Sequence, residues 1–348
     1  MTPADPYTLC AARRRHVPDD VPVEWEKDMR EEIQRVVREM EKVIAGKREV
    51  MEKILMAMLA DGHILLDDVP GVGKTTLAVA LSRTVGLTCQ RIQFTPDVLP
   101  TDLTGFSMYD RSEGAFRYQP GMLSRVNLVL GDEINRASSK TQSALLEAME
   151  ERQVSVDGNT YPMETPFLVI ATQNSVGAVG TQRLPYAQMD RFLVQLSMGY
   201  PDYDAQMQML RSRQGVNPLD QVQQVMSRER LTGMQKEAGN VNAGEPILDY
   251  ITRLTMASRS VQGVDVGISP RGALFLDRMA KARAYMEGRD YVTGQDVQEV
   301  FADVCAHRIL LTPEAEASGT RVRDVLRELL REVESPDRHA GRMRTDRA

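Results

Sequence analysis

The sequence lacks the features that mark membrane-spanning, secreted and metal-binding proteins. Its 348 residues contain no run of about 18 apolar residues, so we predict no membrane-spanning helix. The N-terminal stretch has no apolar core behind its charged residues, as a secretory signal would have. The three cysteines, Cys10, Cys89 and Cys305, and the four histidines are too scattered for a metal site. We therefore expect a cytoplasmic protein with reduced thiols.

Positive charge is also scarce relative to negative charge. Lysine and arginine number 43 against 49 aspartates and glutamates, which gives a formal net charge of -6. A protein that binds nucleic acid usually presents a basic face, so this balance argues against nucleic acid as the partner. The length is sufficient for two domains, each with its own core.

The apolar pattern predicts a parallel sheet first and helices afterwards. Short apolar runs alternate with helical stretches as far as Tyr200, which indicates an α/β domain with helices on both faces. No strand is predicted after Pro201, where the pattern is helical. The predicted strands are Ile64–Leu66, Arg91–Phe94, Val126–Leu130, Phe167–Ala171 and Phe192–Leu196. The predicted domains are a flexible arm at residues 1–22, an α/β core at 23–202, a small all-α domain at 203–335 and a disordered tail at 336–348.

A glycine-rich loop follows the first predicted strand and leads into a helix. Its glycines let main-chain amides turn inward around phosphate groups, and the N-terminus of the next helix favours the same anions. Lys74 can reach the β- and γ-phosphates of ATP, and the hydroxyl of Thr75 can bind Mg²⁺. The general motif begins with glycine, whereas Asp68 holds that position here. The residues predicted to contact the nucleotide are Val69, Pro70, Gly71, Val72, Gly73, Lys74, Thr75 and Thr76.

Two other predicted strands end in polar side chains. Asp132 and Glu133 follow one of them, and Asn174 follows the next. Ligands of open α/β sheets bind outside the carboxyl ends of the strands. We therefore predict that Asp132 holds Mg²⁺, mostly through water, and that Glu133 orients or deprotonates the attacking water. Asn174 could donate a hydrogen bond to the γ-phosphate, although an asparagine after a strand is more often a turn residue.

Three segments of the sequence resemble the MoxR branch of the AAA+ ATPases. They read HILLDDVPGVGKTTLA, NLVLGDEINRASSKTQSALLEAMEERQVSVDG and ATQNSVGAVGTQRLPYAQMDRF. RIQFTPDVLPTDLTG and ISPRGALFL are similar to the same family. The resemblance covers about residues 40–310. It implies a phosphate-loop core with a parallel sheet flanked by helices, followed by a small helical lid domain.

The resemblance also implies roles for single residues. Asn174 matches the first sensor, Arg191 the arginine finger supplied to a neighbouring subunit, and Arg271 the second sensor in the lid. An arginine beside the γ-phosphate stabilises transition-state charge, and a lid arginine couples the nucleotide state to the domain angle. Ile44 and Gly46 fall where members of this family contact adenine.

The same resemblance implies how the protein works. It implies ATP and Mg²⁺ as cofactors, a homo-oligomeric ring, commonly a hexamer, and chaperone-like remodelling of a protein client. A separate partner with a von Willebrand A domain is also implied. The segment Glu151–Gly158 matches a hairpin that projects towards the ring's centre, where it could engage the client. Three alternatives stay open at this point: a nucleotide-dependent binding switch, a nucleic-acid motor and a chelatase-type motor.

Overall fold

The computed structural model of the protein describes residues 23–69, 71–173, 184–212 and 217–337. The predicted N-terminal arm lies outside these residues, as does the predicted C-terminal tail apart from its first two residues. In chain order the first elements are α1 (Val23–Glu41), α2 (Arg48–Leu59), β1 (Ile64–Asp67), α3 (Lys74–Val85), β2 (Cys89–Gln93), α4 (Pro100–Thr104), β3 (Gly105–Asp110), β4 (Ala115–Pro120), β5 (Leu128–Asp132), α5 (Ser139–Glu151), β6 (Gln153–Val156), β7 (Asn159–Pro162), β8 (Leu168–Gln173), α6 (Tyr186–Met189) and β9 (Val194–Leu196). The chain continues with α7 (Tyr203–Ser212), α8 (Arg228–Gly239), α9 (Glu245–Ser258), β10 (Val264–Val266), α10 (Pro270–Met286), α11 (Gly294–Cys305), β11 (Leu310–Leu311), α12 (Pro313–Ala317) and α13 (Val322–Glu332).

Five parallel strands form the central sheet, in the order β2-β5-β8-β1-β9. Both faces are covered, because Ile64 and Leu66 of β1 pack into one apolar cluster and Leu65 packs into the other. Burial on both faces explains why the strands read as apolar runs rather than as alternating patterns. The predicted α/β core is confirmed, and all five strands end at the same edge of the sheet.

The strand bounds differ slightly from the predicted ones, and one shift concerns the chemistry. β5 runs to Asp132 rather than ending at Leu130, so Asp132 is the last residue of the strand. Its backbone is paired through the register Gln93↔Asp132 with the end of β2. A residue held by a sheet ladder has less freedom than one in a following loop, so the position of this carboxylate is fixed by the core.

The chain after β9 folds into the lid, which is helical as predicted but contains one short antiparallel ribbon. β10 pairs with β11 through Val264↔Leu311 and Val266↔Leu310. The expectation that strands stop after Pro201 is therefore corrected. Strands of three and two residues are too short to show a period of two in the sequence. Among the described residues, none of the helices combines the length and apolarity required to cross a bilayer.

Two antiparallel hairpins extend from the core next to each other. β3 pairs with β4, and β6 pairs with β7. The second hairpin turns at Asp157 and Gly158, both with positive φ, and it occupies the place predicted for it. Tyr118 of the first hairpin stacks on Tyr161 of the second, with ring centroids 3.8 Å apart and an interplanar angle of 13°. The two hairpins are therefore in direct contact.

Candidate nucleotide site

The glycine-rich loop lies at the carboxyl edge of the sheet, directly after β1. Gly71 and Gly73 have φ values of 83° and 95°, a region that residues with a side chain rarely adopt. Nothing lies within 4 Å of a Cβ placed at Gly71, so conformation rather than crowding requires glycine there. Lys74 is the first residue of α3, and its ammonium donates to the main-chain carbonyl of Asp68 at 3.1 Å. Pro70 lies outside the described residues.

The carboxylate of Asp68 is held by three hydrogen bonds. It is buried and accepts hydrogen bonds from the Ser197 hydroxyl at 3.1 Å, the Gly199 amide at 3.0 Å and the Met198 amide. These three donors belong to the segment that follows β9. The aspartate that replaces the motif's first glycine therefore ties the loop to the chain leading into the lid.

Lys74 is placed in a buried, acidic setting. Burial is the largest influence and lowers the pKa of its ammonium from the ordinary value. The carboxylates that act in the opposite direction are those of Asp68, Asp132, Asp67 and Glu133. A bound polyphosphate would add negative charge beside this ammonium and favour its charged form.

The two predicted magnesium ligands meet in the structure. The hydroxyl of Thr75 lies 3.4 Å from Oδ2 of Asp132, and the hydroxyl of Thr172 lies 3.3 Å from its Oδ1. Arg91 donates from Nε to Oδ2 of Asp132 at 2.7 Å. A hydroxyl and a carboxylate beside phosphate oxygens are a donor set that suits Mg²⁺. The residues present therefore fit this cation.

Glu133 directly follows β5 and adopts the left-handed conformation, with φ 59° and ψ 47°. Residues other than glycine, asparagine and aspartate rarely do so, and the conformation is held by a hydrogen bond from the Glu133 amide to the Thr172 hydroxyl at 3.0 Å. Its carboxylate accepts from Gln93 at 3.0 Å and from Arg136 at 2.8 Å. Sequence reasoning missed these three supporting residues. The pairing of Gln93 with the end of β5 is the signal that could have found one of them.

The loop predicted to contact adenine lies against the phosphate loop. A Cβ at Gly73 would lie 3.7 Å from Cδ1 of Ile44. Gly46 has φ 69°, and a Cβ there would lie 2.8 Å from the Cβ of Ala205 in α7. The structure therefore brings Ile44 to the phosphate loop and Gly46 to α7. Asn174, the predicted first sensor, lies outside the described residues.

The two predicted arginines lie together at the opposite edge of the sheet. Arg191 lies two residues before Leu193, whose amide donates to the carbonyl of His63 at 2.8 Å. Leu193 directly precedes β9 and His63 directly precedes β1, so this contact lies at the edge where the strands begin. Arg191 and Arg271 each form an ion pair with Glu150 near the C-terminus of α5. The phosphate loop follows the far end of β1, so neither arginine is beside it. The roles of Arg191 as arginine finger and of Arg271 as second sensor stay predictions.

A buried ionic cluster fixes the segments that carry these arginines. Arg308 is fully buried and donates from Nε to Asp190 at 2.9 Å, while the Ser269 hydroxyl lies 3.0 Å from both oxygens of the same carboxylate. Asp190 adjoins Arg191, and Ser269 caps the helix whose second residue is Arg271. Burial lowers the pKa of Arg308, and the adjacent Asp190 carboxylate acts in the opposite direction. The cluster thus holds both arginine-bearing segments in one arrangement.

Comparison with known proteins agrees with this geometry. Residues 63–194 match the model of the ATPase family associated with various cellular activities (AAA), and residues 256–329 match the AAA lid domain. The chaperone MoxR1 of Mycobacterium tuberculosis is 39% identical over 317 residues, which are 88% of this chain and 83% of that protein. The chain belongs to the MoxR family of AAA+ ATPases.

Two other proteins are similar to this chain over about 90% of its length. The YeaC protein of Bacillus subtilis is 42% identical over 312 residues, which are 90% of this chain and 97% of that protein. The solved structure of a candidate ATPase from Cytophaga hutchinsonii superposes with a TM-score of 0.82 at 38% identity. It covers 90% of this chain and 97% of its own. Membership of this family implies that the protein binds a nucleotide.

Proposed function

We propose that the protein hydrolyses Mg-ATP and uses the energy to remodel or assemble a protein client in the cytoplasm. The observation that carries this proposal is the meeting of Thr75 and Asp132, with Glu133 adjacent, at the sheet edge where Lys74 begins α3. This is the arrangement that phosphoryl transfer requires, because the reaction depends on positioning and on charge neutralisation.

Each residue at this edge then has one task. Lys74 neutralises the β- and γ-phosphates, and Thr75 and Asp132 hold Mg²⁺, which would neutralise further phosphate charge. Glu133 accepts a hydrogen bond from the attacking water and receives its proton as the bond to the γ-phosphorus forms and the bond to the ADP oxygen breaks. Gln93 and Arg136 both bind Oε2 of Glu133 and orient its carboxylate, which has about four acceptor sites and can accept a hydrogen bond from water as well.

The position of the arginines supports a ring. A guanidinium beside the γ-phosphate stabilises transition-state charge, but Arg191 and Arg271 lie at the edge of the sheet that is far from their own phosphate loop. We therefore assign both to the nucleotide of a neighbouring subunit in a homo-oligomeric ring, which the family resemblance suggests is a hexamer. The assignment of Asn174 as first sensor remains a prediction.

The paired hairpins are the proposed client surface. The exposed positions at the tip of the β6–β7 hairpin are polar, whereas the β3–β4 hairpin exposes Phe106, Met108, Tyr109 and Phe116. Large exposed apolar groups commonly mark interaction sites. We therefore assign apolar client contacts to β3–β4, in addition to the predicted β6–β7 hairpin. One relative is named a chaperone, which supports a protein client. A von Willebrand A domain partner rests on the family resemblance alone.

Replacing Glu133 with glutamine tests the proposal. The amide keeps the size of the side chain but cannot receive a proton, so we expect phosphate release to fall by about 100-fold or more while ATP still binds. Phosphate release and binding of a fluorescent ATP analogue are measured on the same preparations. Lys74→Ala serves as the comparison and should lose binding as well. Unchanged phosphate release in Glu133→Gln would contradict the proposed chemistry.

A further inference from the structure

One carboxylate holds both arginines of the proposed trans site. Glu150 lies one residue before the end of α5, and its two oxygens are divided between two partners. Oε2 is 3.2 Å from Arg191, and Oε1 pairs with Arg271. All three side chains are about one-third exposed, at 37% for Glu150, 33% for Arg191 and 36% for Arg271. Water and an incoming group can therefore reach the cluster.

The charges in this cluster are unequal. Two guanidinium groups share one carboxylate, so the pair of Arg191 and Arg271 retains a net positive charge. Guanidinium groups bind phosphate oxygens in the same forked geometry as carboxylate oxygens, and a γ-phosphate carries more negative charge than one carboxylate. A cavity of about 450 Å³ is lined by these two arginines and by Glu150, which leaves room for such a group.

Exchange of the carboxylate for a phosphate requires only side-chain movement. The main chains beside Arg191 and Arg271 are held by the buried cluster of Asp190, Ser269 and Arg308. Buried ion pairs with several hydrogen bonds are costly to break, whereas ion pairs at a partly exposed position are weak. The guanidinium tips can therefore change partner while their backbones stay in place.

We propose that Glu150 is a positioning residue that holds Arg191 and Arg271 as a pair in the separate subunit and is replaced by the γ-phosphate of a second copy's ATP when the ring forms. This inference rests on the proposed function, since it assumes that both arginines act on a neighbour's nucleotide. Its consequence is that assembly breaks the contacts of Glu150. Removing the charge at this position should make ATP-dependent assembly easier.

The first measurement is ATP hydrolysis per subunit as a function of protein concentration, with the full chain. For Glu150→Gln the protein concentration at half-maximal activity should fall about threefold to fivefold. A change of this size is expected because assembly no longer has to break the weak, partly exposed ion pairs of Glu150. Glu147→Gln, one turn earlier on α5, removes the same charge without touching either arginine and should leave this concentration unchanged. An unchanged or higher midpoint for Glu150→Gln, or the same shift in both variants, would overturn the proposal.

A second measurement isolates the arginines. Self-association is followed by sedimentation in ATP, with Glu133→Gln present in every chain so that the nucleotide persists. Glu150→Gln should strengthen association when Arg191 and Arg271 are present and have no effect when both are alanine. An effect that persists without the arginines would overturn the proposal.

The two measurements also separate this inference from the proposed function. Wild-type protein that neither hydrolyses ATP nor associates in its presence would contradict the proposed function, and the role of Glu150 would fall with it. Wild-type protein that does both, together with a Glu150→Gln variant that changes neither, would contradict the role of Glu150 alone.

Discussion

At the scale of single residues, Asp68 departs from the usual sequence of a phosphate loop and yet stabilises that loop. Its carboxylate accepts three hydrogen bonds from the segment after β9, so the loop and the entry to the lid are joined by one buried side chain. A charged acceptor with three donors is among the stronger polar arrangements in proteins. Asp68 therefore holds the phosphate loop against the segment that leads into the lid.

Replacing Asp68 with glycine would restore the general motif and should nevertheless damage the protein. The change leaves the amides of Met198 and Gly199 without their acceptor, so we expect the free energy of unfolding to fall by about 3 kcal/mol. Urea denaturation without nucleotide measures this loss, and the affinity for ATP should decrease as well. Asp68→Asn retains one acceptor oxygen and should lose less. Equal stability of wild type and Asp68→Gly would show that these hydrogen bonds contribute nothing.

The main residues of the site could be predicted from the sequence, and their supports could not. Lys74, Asp132 and Glu133 are recognisable because they belong to motifs at or after the carboxyl ends of strands, and parallel strands bring these ends to one edge. Gln93 lies in a segment that resembles the family but implies no role for it, and Arg308 lies in a segment without a motif. Their roles arise only from contacts with Glu133 and Asp190, which lie 40 and 118 positions away in the chain.

At the scale of elements, the two hairpins show which patterns a sequence conceals. The β3–β4 hairpin was not predicted, because most of its residues are exposed and its strands are not the apolar runs that mark a doubly covered sheet. The inner strands β1, β5 and β8 were predicted because burial on both faces makes them largely apolar. Stacking of Tyr118 on Tyr161 then places the unpredicted hairpin beside the predicted one.

We predict that Phe116→Ser weakens binding to an unfolded protein while basal ATP hydrolysis stays unchanged. Phe116 is 75% exposed, so little core packing is lost, and one contacting aromatic ring accounts for about 1 kcal/mol, or about fivefold in affinity. Binding is measured by fluorescence anisotropy with a carboxymethylated, permanently unfolded chain. Leu248→Ser removes an exposed apolar group from α9 of the lid and should bind like wild type. Equal affinity of all three proteins would remove the β3–β4 hairpin from the client surface.

At the scale of the whole molecule, the proposed donor and acceptor of trans catalysis lie at opposite edges of one sheet. The phosphate loop follows the carboxyl end of β1. Arg191 precedes the start of β9, and Arg271 of the lid pairs with the same glutamate, Glu150. Two different surfaces that complement each other form a head-to-tail interface, and repeated head-to-tail contacts close into a ring when the rotation permits. Two different surfaces therefore favour a ring over a two-fold dimer, in which both subunits would present the same surface.

Mixing two inactive variants tests this arrangement. Arg191→Ala keeps the phosphate loop and Glu133 but offers its neighbour no arginine, whereas Glu133→Gln keeps the arginine and has lost its own chemistry. In an equal mixture about a quarter of the interfaces join an intact Glu133 to an intact Arg191, so about a quarter of wild-type ATP hydrolysis should return.

Each variant alone, at the same total concentration, provides the baseline. A mixture no more active than that baseline would mean that Arg191 acts within its own subunit or not at all. Action within its own subunit would require Arg191, which precedes β9, to reach the other edge of the sheet, and the buried contact between Arg308 and Asp190 opposes this.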